Sequence, residues 1–176
     1  QSKSGGQDML NMSVKTELTD LTQVMEKLRS EAFVDKSKMS LFGASQGGVV
    51  ASLYAAAYPD RVHKLMLIFP AFVLFDDAKE TYRELGSPDF DQLPDSLTHH
   101  NAALGKIYLI DALDIDIQAE QTKITAPTLI IHGTDDAVVP YQYAVQASQT
   151  IPNAELVTVE GGEHHIDERF AITAAP

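Results

Sequence analysis

Met39-Ser-Leu-Phe-Gly-Ala-Ser-Gln-Gly-Gly48 is the stretch on which the reading of this chain turns. It reads as a short buried strand, a very tight turn and the opening of a helix. Gly43, Ser45 and Gly47 within it spell G-x-S-x-G, the nucleophile-elbow pattern. An elbow turns a strand into a helix within a few residues and holds its serine in a strained backbone conformation, so side chains two positions to either side are expected to clash. Glycine at 43 and 47 removes both clashes. The serine hydroxyl then projects from the carboxyl end of a sheet, where open α/β sheets bind ligands.

The pattern alone also describes a structural glycine-rich turn, so its flanks decide. Residues 34–42 read as a strand, and residues 46–58 as a helix with Val49, Val50, Leu53 and Ala57 along one stripe. Pro59 ends that helix. Working outward, the apolar run 63–69 reads as a strand buried on both faces and closed by Pro70. Strand, helix, strand with short connections is the rhythm of a parallel sheet.

Upstream, Ser13 is a credible N-cap for a helix running to about residue 32, with Leu18, Leu21, Val24, Met25 and Leu28 as its buried stripe against one sheet face. Residues 1–12, with Gly5 and Gly6, read as a loop. Downstream the rhythm breaks between residues 71 and 125. Asp76, Asp77, Gly86, Pro88, Asp91, Pro94 and Asp95 punctuate that segment, so no regular element is expected in its first half. Residues 107–117 fit a short helix or strand. A long insertion between core elements is usually a binding loop or lid, and this one is read as a cap over the serine. Residues 126–132 and 155–159 restore the strands, a helix over 141–150 lies between them, and 166–171 opens a last helix. The domain reading is therefore a core of residues 1–70 and 126–176 with a cap insertion at 71–125.

Length and composition bound the rest. A chain of 176 residues with 44% hydrophobic and 22% charged residues suits one globular domain. Its net charge of −12 argues against nucleic acid or an anionic membrane as partner. Without cysteine there is no disulfide, thiolate metal site or Cys nucleophile. No run of 18 apolar residues and no signal segment are evident, which makes a cytoplasmic location the expectation.

A serine hydroxyl becomes a good nucleophile when a histidine takes its proton, and that histidine needs a carboxylate to fix its tautomer. Here the serine follows one strand, the pair Asp135-Asp136 follows the 126–132 strand, and the pair His164-His165 follows the 155–159 strand. In a parallel sheet these exits share one edge. His63, His99, His100 and His132 lack metal-ligand spacing, so neither a metal nor a cofactor is expected.

The segments at 43–52, 58–60, 131–140 (Ile-His-Gly-Thr-Asp-Asp-Ala-Val-Val-Pro) and 160–165 (Glu-Gly-Gly-Glu-His-His) resemble α/β-hydrolase serine esterases, closest to the feruloyl (cinnamoyl) esterase group. The resemblance implies a partial α/β-hydrolase fold, α/β in class, with a mostly parallel sheet and flanking helices. It puts the catalytic acid on Asp136, the base on His164 in preference to His165, and one oxyanion-hole donor on the backbone N–H of Gln46. Within the cap, Asp77 and Tyr108 match positions that contact the phenolic end of the substrate. Ala44 departs from the group, where histidine is frequent at that place.

The second oxyanion-hole donor of this fold comes from a loop after an earlier strand, and no counterpart is found ahead of the first helix. The expectation is a portion of a longer esterase that hydrolyses small-molecule carboxylic esters through an acyl-serine intermediate. Two further readings are a short chain that forms a homo-oligomer through an exposed sheet edge, and a decayed hydrolase that only binds. A serine peptidase of the same fold is the alternative chemistry.

Overall fold

The computed structural model describes residues 9–99 and 102–173. Residues 1–8, read as part of a loop, and His100 lie outside them. Four parallel strands form the central sheet: β1 (Leu41–Ala44), β2 (Leu65–Ile68), β5 (Thr128–Gly133) and β6 (Ala154–Val159), in the order β1-β2-β5-β6. Between β2 and β5, β3 (Ser96–His99) and β4 (Ala102–Gly105) pair antiparallel as a separate ribbon.

The register aligns Leu41, Leu65, Thr128 and Ala154 across the sheet. Leu65, Leu67 and Ile130 therefore share one face and enter the main core, while Ile68 and Ile131 pack on the other face with Phe170. Burial on both faces explains why β2 and β5 read as continuous apolar runs and not as alternating ones. Phe42 and Met66 sit on the second face near the other end of the strands and are exposed.

Helix α2 (Gln46–Ala57) is buried from Gly48 through Ala56, not along a single stripe as its sequence suggests. It lies between the sheet and helix α1 (Val14–Ser30), so it meets protein on all sides. Ser13 caps α1 through a reciprocal pair, its N–H donating to Thr16 Oγ1 at 2.8 Å and its Oγ accepting from the Thr16 N–H at 3.2 Å. Because α1 packs mainly on α2 and not on the sheet, the expected stripe is only half buried. Met25 is 3% exposed, but Val24 and Leu28 are 55% and 40% exposed. Residues 34–40 are turn and loop, not strand. Asp35 Oδ1 accepts from the Ser37 N–H at 3.0 Å, a local bond that competes with a sheet ladder.

Helix α3 (Leu74–Glu84) corrects the expectation that the first half of the 71–125 segment is irregular. Asp76 and Asp77 lie in its first turn, where carboxylates favour a helix start, and Leu74, Phe75 and Ala78 bury one side. Gly86, at φ 83°, ends it. Helices α4 (Lys106–Leu113) and α5 (Ile117–Gln121) complete the segment, and α6 (Gln142–Thr150) and α7 (Glu168–Thr173) follow β5 and β6. Among the described residues no helix is long and apolar enough to cross a membrane.

Candidate active site

Ser45 lies between the end of β1 and the start of α2 with φ 53° and ψ −127°, a conformation that side chains rarely adopt. Three backbone hydrogen bonds hold it there. Its N–H donates to Ile68 O at 3.0 Å, and its carbonyl accepts from Gly48 N–H at 2.9 Å and Ala71 N–H at 3.0 Å. Strain at a single residue persists where the surroundings over-determine the backbone in this way. The expected need for two glycines is met on one side only. A Cβ on Gly43 would stand 2.4 Å from the Gly47 carbonyl oxygen, whereas a Cβ on Gly47 would meet nothing within 4 Å.

The exits of β5 and β6 arrive at the same sheet edge and are tied to each other. Asp135 N–H donates to Gly162 O at 2.9 Å, and Gly161 N–H donates to Thr134 Oγ1 at 2.9 Å. The backbones come so close that a Cβ on Gly133 would lie 2.1 Å from Gly162 O. This fixes the relative placement of the two loops that carry Asp136 and His164.

His164 Nε2 is 3.0 Å from Ser45 Oγ, and His164 Nδ1 is 2.8 Å from Asp136 Oδ2. An ionised carboxylate only accepts, so Nδ1–H donates to Asp136 and Nε2 is left to accept the Ser45 O–H. Asp136 is buried, and its other oxygen accepts from the N–H groups of Val138 at 2.9 Å and Val139 at 2.8 Å. The Phe69 ring packs on the imidazole with centroids 4.5 Å apart. Phe69 itself has φ 36°, a second strained non-glycine residue at the site. The neighbouring candidates fall elsewhere: Asp135 is exposed, and the His165 side chain is 58% exposed beside Glu163 and Asp167.

His132 lies in β5 one residue before its end, and it also touches Asp136. Its ring is fully buried, with Nε2 2.9 Å from Val139 O and 3.2 Å from Asp136 Oδ2. Since a carbonyl and a carboxylate both accept, Nε2 carries the proton and donates to both. Burial pushes the His132 pKa down against the opposing bond to Val139 and charge of Asp136, which favours the neutral ring. The signal in the sequence was the spacing of four residues from His132 to Asp136 across a tight turn. His63 is exposed, and among the described residues no group of three His, Cys, Asp or Glu side chains is arranged to hold a metal.

Ser45 and Gln46 open onto a cleft of about 730 Å³, mouth included, whose walls also carry Met12, Leu74, Leu104, Val138 and Val139. Asp77 of α3 and Tyr108 of α4 line it too, and both also line an adjoining, mostly apolar recess with Leu97 and Leu109. Tyr108 O–H donates to Gln46 Oε1 at 2.9 Å. Burial, with the charges of Glu17 and Asp77, pushes the Tyr108 pKa up to about 12, so the phenol keeps its proton.

Glu17 Oε2 accepts from Gln46 Nε2 at 2.6 Å. Burial pushes the Glu17 carboxyl up, against the Gln46 hydrogen bond and with help from Asp20. A carboxyl raised in the folded state binds its proton more tightly there than in the unfolded chain. It therefore costs stability as pH rises from its ordinary value near 4.5 through the folded value. Glu17→Gln removes that loss. Thermal unfolding is expected to show a variant-minus-wild-type Tm difference that is more positive at pH 8 than at pH 4; a pH-independent difference would contradict the shift.

The prolyl oligopeptidase family model matches residues 8–170. Among solved structures, the chain superposes on Est1E from Butyrivibrio proteoclasticus with a TM-score of 0.80 and 30% identity, covering 92% of this chain and 67% of that one. The structure described as ferulic acid bound to the same Est1E gives a TM-score of 0.84 at 30% identity over 97% of this chain and 68% of that one. Among curated relatives, the AB hydrolase superfamily protein YisY of Bacillus subtilis is 28% identical over 157 residues, 70% of this chain and 59% of that protein. The mouse serine hydrolase BPHL is 27% identical over 150 residues, 76% of this chain and 51% of that protein. The chain thus spans little more than half the length of these two relatives.

Proposed function

The chain belongs to the prolyl oligopeptidase family, and on that footing we propose that it is a serine hydrolase of carboxylic esters, hydroxycinnamoyl (feruloyl) esters among them. The observation that carries this reading is the unbroken line of hydrogen bonds from Ser45 Oγ through His164 to Asp136, at the floor of an open cleft. Ser45 Oγ attacks the acyl carbon as His164 Nε2 takes its proton, and Asp136 stabilises the imidazolium that results. The Gln46 N–H, at the first position of α2, has no partner within the helix, and we assign it the role of donor to the developing oxyanion. His164 returns the proton to the departing alcohol. Water, activated by the same imidazole, then hydrolyses the acyl-Ser45 ester and frees the carboxylic acid.

Residues 71–125 act as the cap. The apolar recess within it takes an aromatic acyl group, with the Tyr108 hydroxyl and the Asp77 carboxylate, which line both this recess and the Ser45 cleft, meeting a phenolic hydroxyl. Likeness to Est1E supports this choice of acyl group. The second reading is a serine peptidase, favoured by the name of the matching family. The chemistry of attack is the same, but an amide nitrogen must be protonated before it leaves.

Turnover of p-nitrophenyl acetate, methyl ferulate and an aminoacyl p-nitroanilide separates the two. Both esters are expected to be cleaved, with kcat/KM for the anilide at least about tenfold lower, a gap of roughly 1.4 kcal/mol in barrier. Faster anilide cleavage would make the protein a peptidase, and absence of ester turnover would remove the esterase reading.

A further inference from the structure

The Gln46 side chain joins two elements that are far apart in sequence. Its Nε2 donates to Glu17 on α1 and its Oε1 accepts from Tyr108 on α4, so both ends of the amide are held. Nε2 also lies 3.7 Å from Met12 Sδ. The two helices are latched beside this bridge as well: Ser13 O–H donates to Asp111 Oδ2 at 2.5 Å, and Lys15 Nζ donates to Asp114 Oδ2 at 2.6 Å. The backbone N–H of Gln46 belongs to the peptide plane set by the ψ of Ser45, at −127°. The Ser45 carbonyl at the other end of that plane is held by the N–H groups of Gly48 and Ala71, and the Gln46 side chain ties the Cα of the same plane to α1 and α4.

We propose that the Gln46 side chain is a strut that holds its own backbone N–H, and with it the Ser45 elbow, in register with α4, and that Glu17 and Tyr108 are its positioning residues. This rests on the esterase reading for its effect on rate. Since misplacement by about 1 Å in an active site can cost on the order of 100-fold, partial release of the strut lowers kcat by less than that. Tyr108 then has two roles, one toward the substrate and one toward the oxyanion donor. A substrate that displaces its O–H from Gln46 loosens the elbow.

The test uses Glu17→Ala, Glu17→Gln and Tyr108→Phe with p-nitrophenyl acetate, whose acetyl group offers no phenol to Tyr108. Glu17→Ala and Tyr108→Phe are each expected to lower kcat about 3- to 10-fold at unchanged KM. The double variant should lose no more than the worse single one, and Glu17→Gln, which keeps an acceptor oxygen, should recover most of the rate. In NMR spectra the Gln46 side-chain amide protons should lose their protection from exchange in Glu17→Ala.

Unchanged kcat in Tyr108→Phe, with only KM for methyl ferulate raised, would overturn the strut. So would a Gln46 amide that exchanges alike in all variants. If Glu17→Ala does not fold, Tyr108→Phe decides alone. If the wild type cleaves no ester, the esterase reading fails while the amide signal still decides the strut.

Discussion

Ser45→Ala and His164→Gln are each expected to lower kcat for p-nitrophenyl acetate on the order of 10⁴ to 10⁶-fold, and the double variant no further than either alone. Nucleophile and base act as a unit, so removing either leaves the other without a task. The contrast that gives the experiment its force is His165→Gln. His165 is the next residue, yet its side chain is 58% exposed and faces Glu163 and Asp167. Its replacement should leave kcat nearly unchanged, since its side chain lies beside Glu163 and Asp167 and not beside Ser45. A large loss from His165→Gln with little from His164→Gln would exchange their roles and contradict the 3.0 Å contact between His164 and Ser45.

Gly43→Ala is expected to disable the elbow. The added methyl would sit 2.4 Å from Gly47 O and 2.7 Å from the Gly48 Cα, both backbone atoms, so no rotamer change relieves the contact. Overpacking typically costs about 1–3 kcal/mol, and here the only way out is to shift α2 away from β1. That shift moves Ser45 off His164. The variant should lose most of its activity even where it stays folded, with Tm lowered by several degrees. Gly47→Ala is the control. It sits in the first turn of α2 with open space around its Cα, so it should be tolerated, and reduced backbone freedom in the unfolded chain even favours it by about 0.5–1 kcal/mol. Equal damage at both positions would mean that the turn is tighter at Gly47 than its surroundings indicate.

The elbow was legible because its pattern is local, a short strand, Gly43, Ser45 and a helix start within ten residues, whereas the bonds to Ile68 and Ala71 that hold Ser45 in place were not. The exits of β5 and β6 were legible for the same reason, each being an apolar run followed by a turn. The residue types alone did not separate His164 from His165, since both follow the same turn; the resemblance preferred His164, and in the structure it is the His164 ring that lies against Phe69. Helix α3 was hidden by Asp76 and Asp77, residues that punctuate a loop and equally start a helix, depending on whether Leu74, Phe75 and Ala78 find a core.

Distant residues that share the sheet edge, such as Ser45 and His164, could be brought together from the strand order, but contacts made off that edge were illegible. Nothing near Gln46 in the chain announces Glu17, 29 residues before it, or Tyr108, 62 residues after it. The half-exposed stripe of α1 has the same origin. Periodicity shows that a helix has an apolar side, but not whether a sheet or a narrower helix will cover it.

Labelling with a fluorophosphonate probe, followed by intact mass and peptide mapping, tests the catalytic assignment most directly, because the probe phosphonylates only a serine whose neighbouring base makes it nucleophilic. One adduct per chain on Ser45, lost in His164→Gln and retained in His165→Gln, is the predicted result. A wild-type chain that takes no adduct, or takes it on another residue, would contradict it.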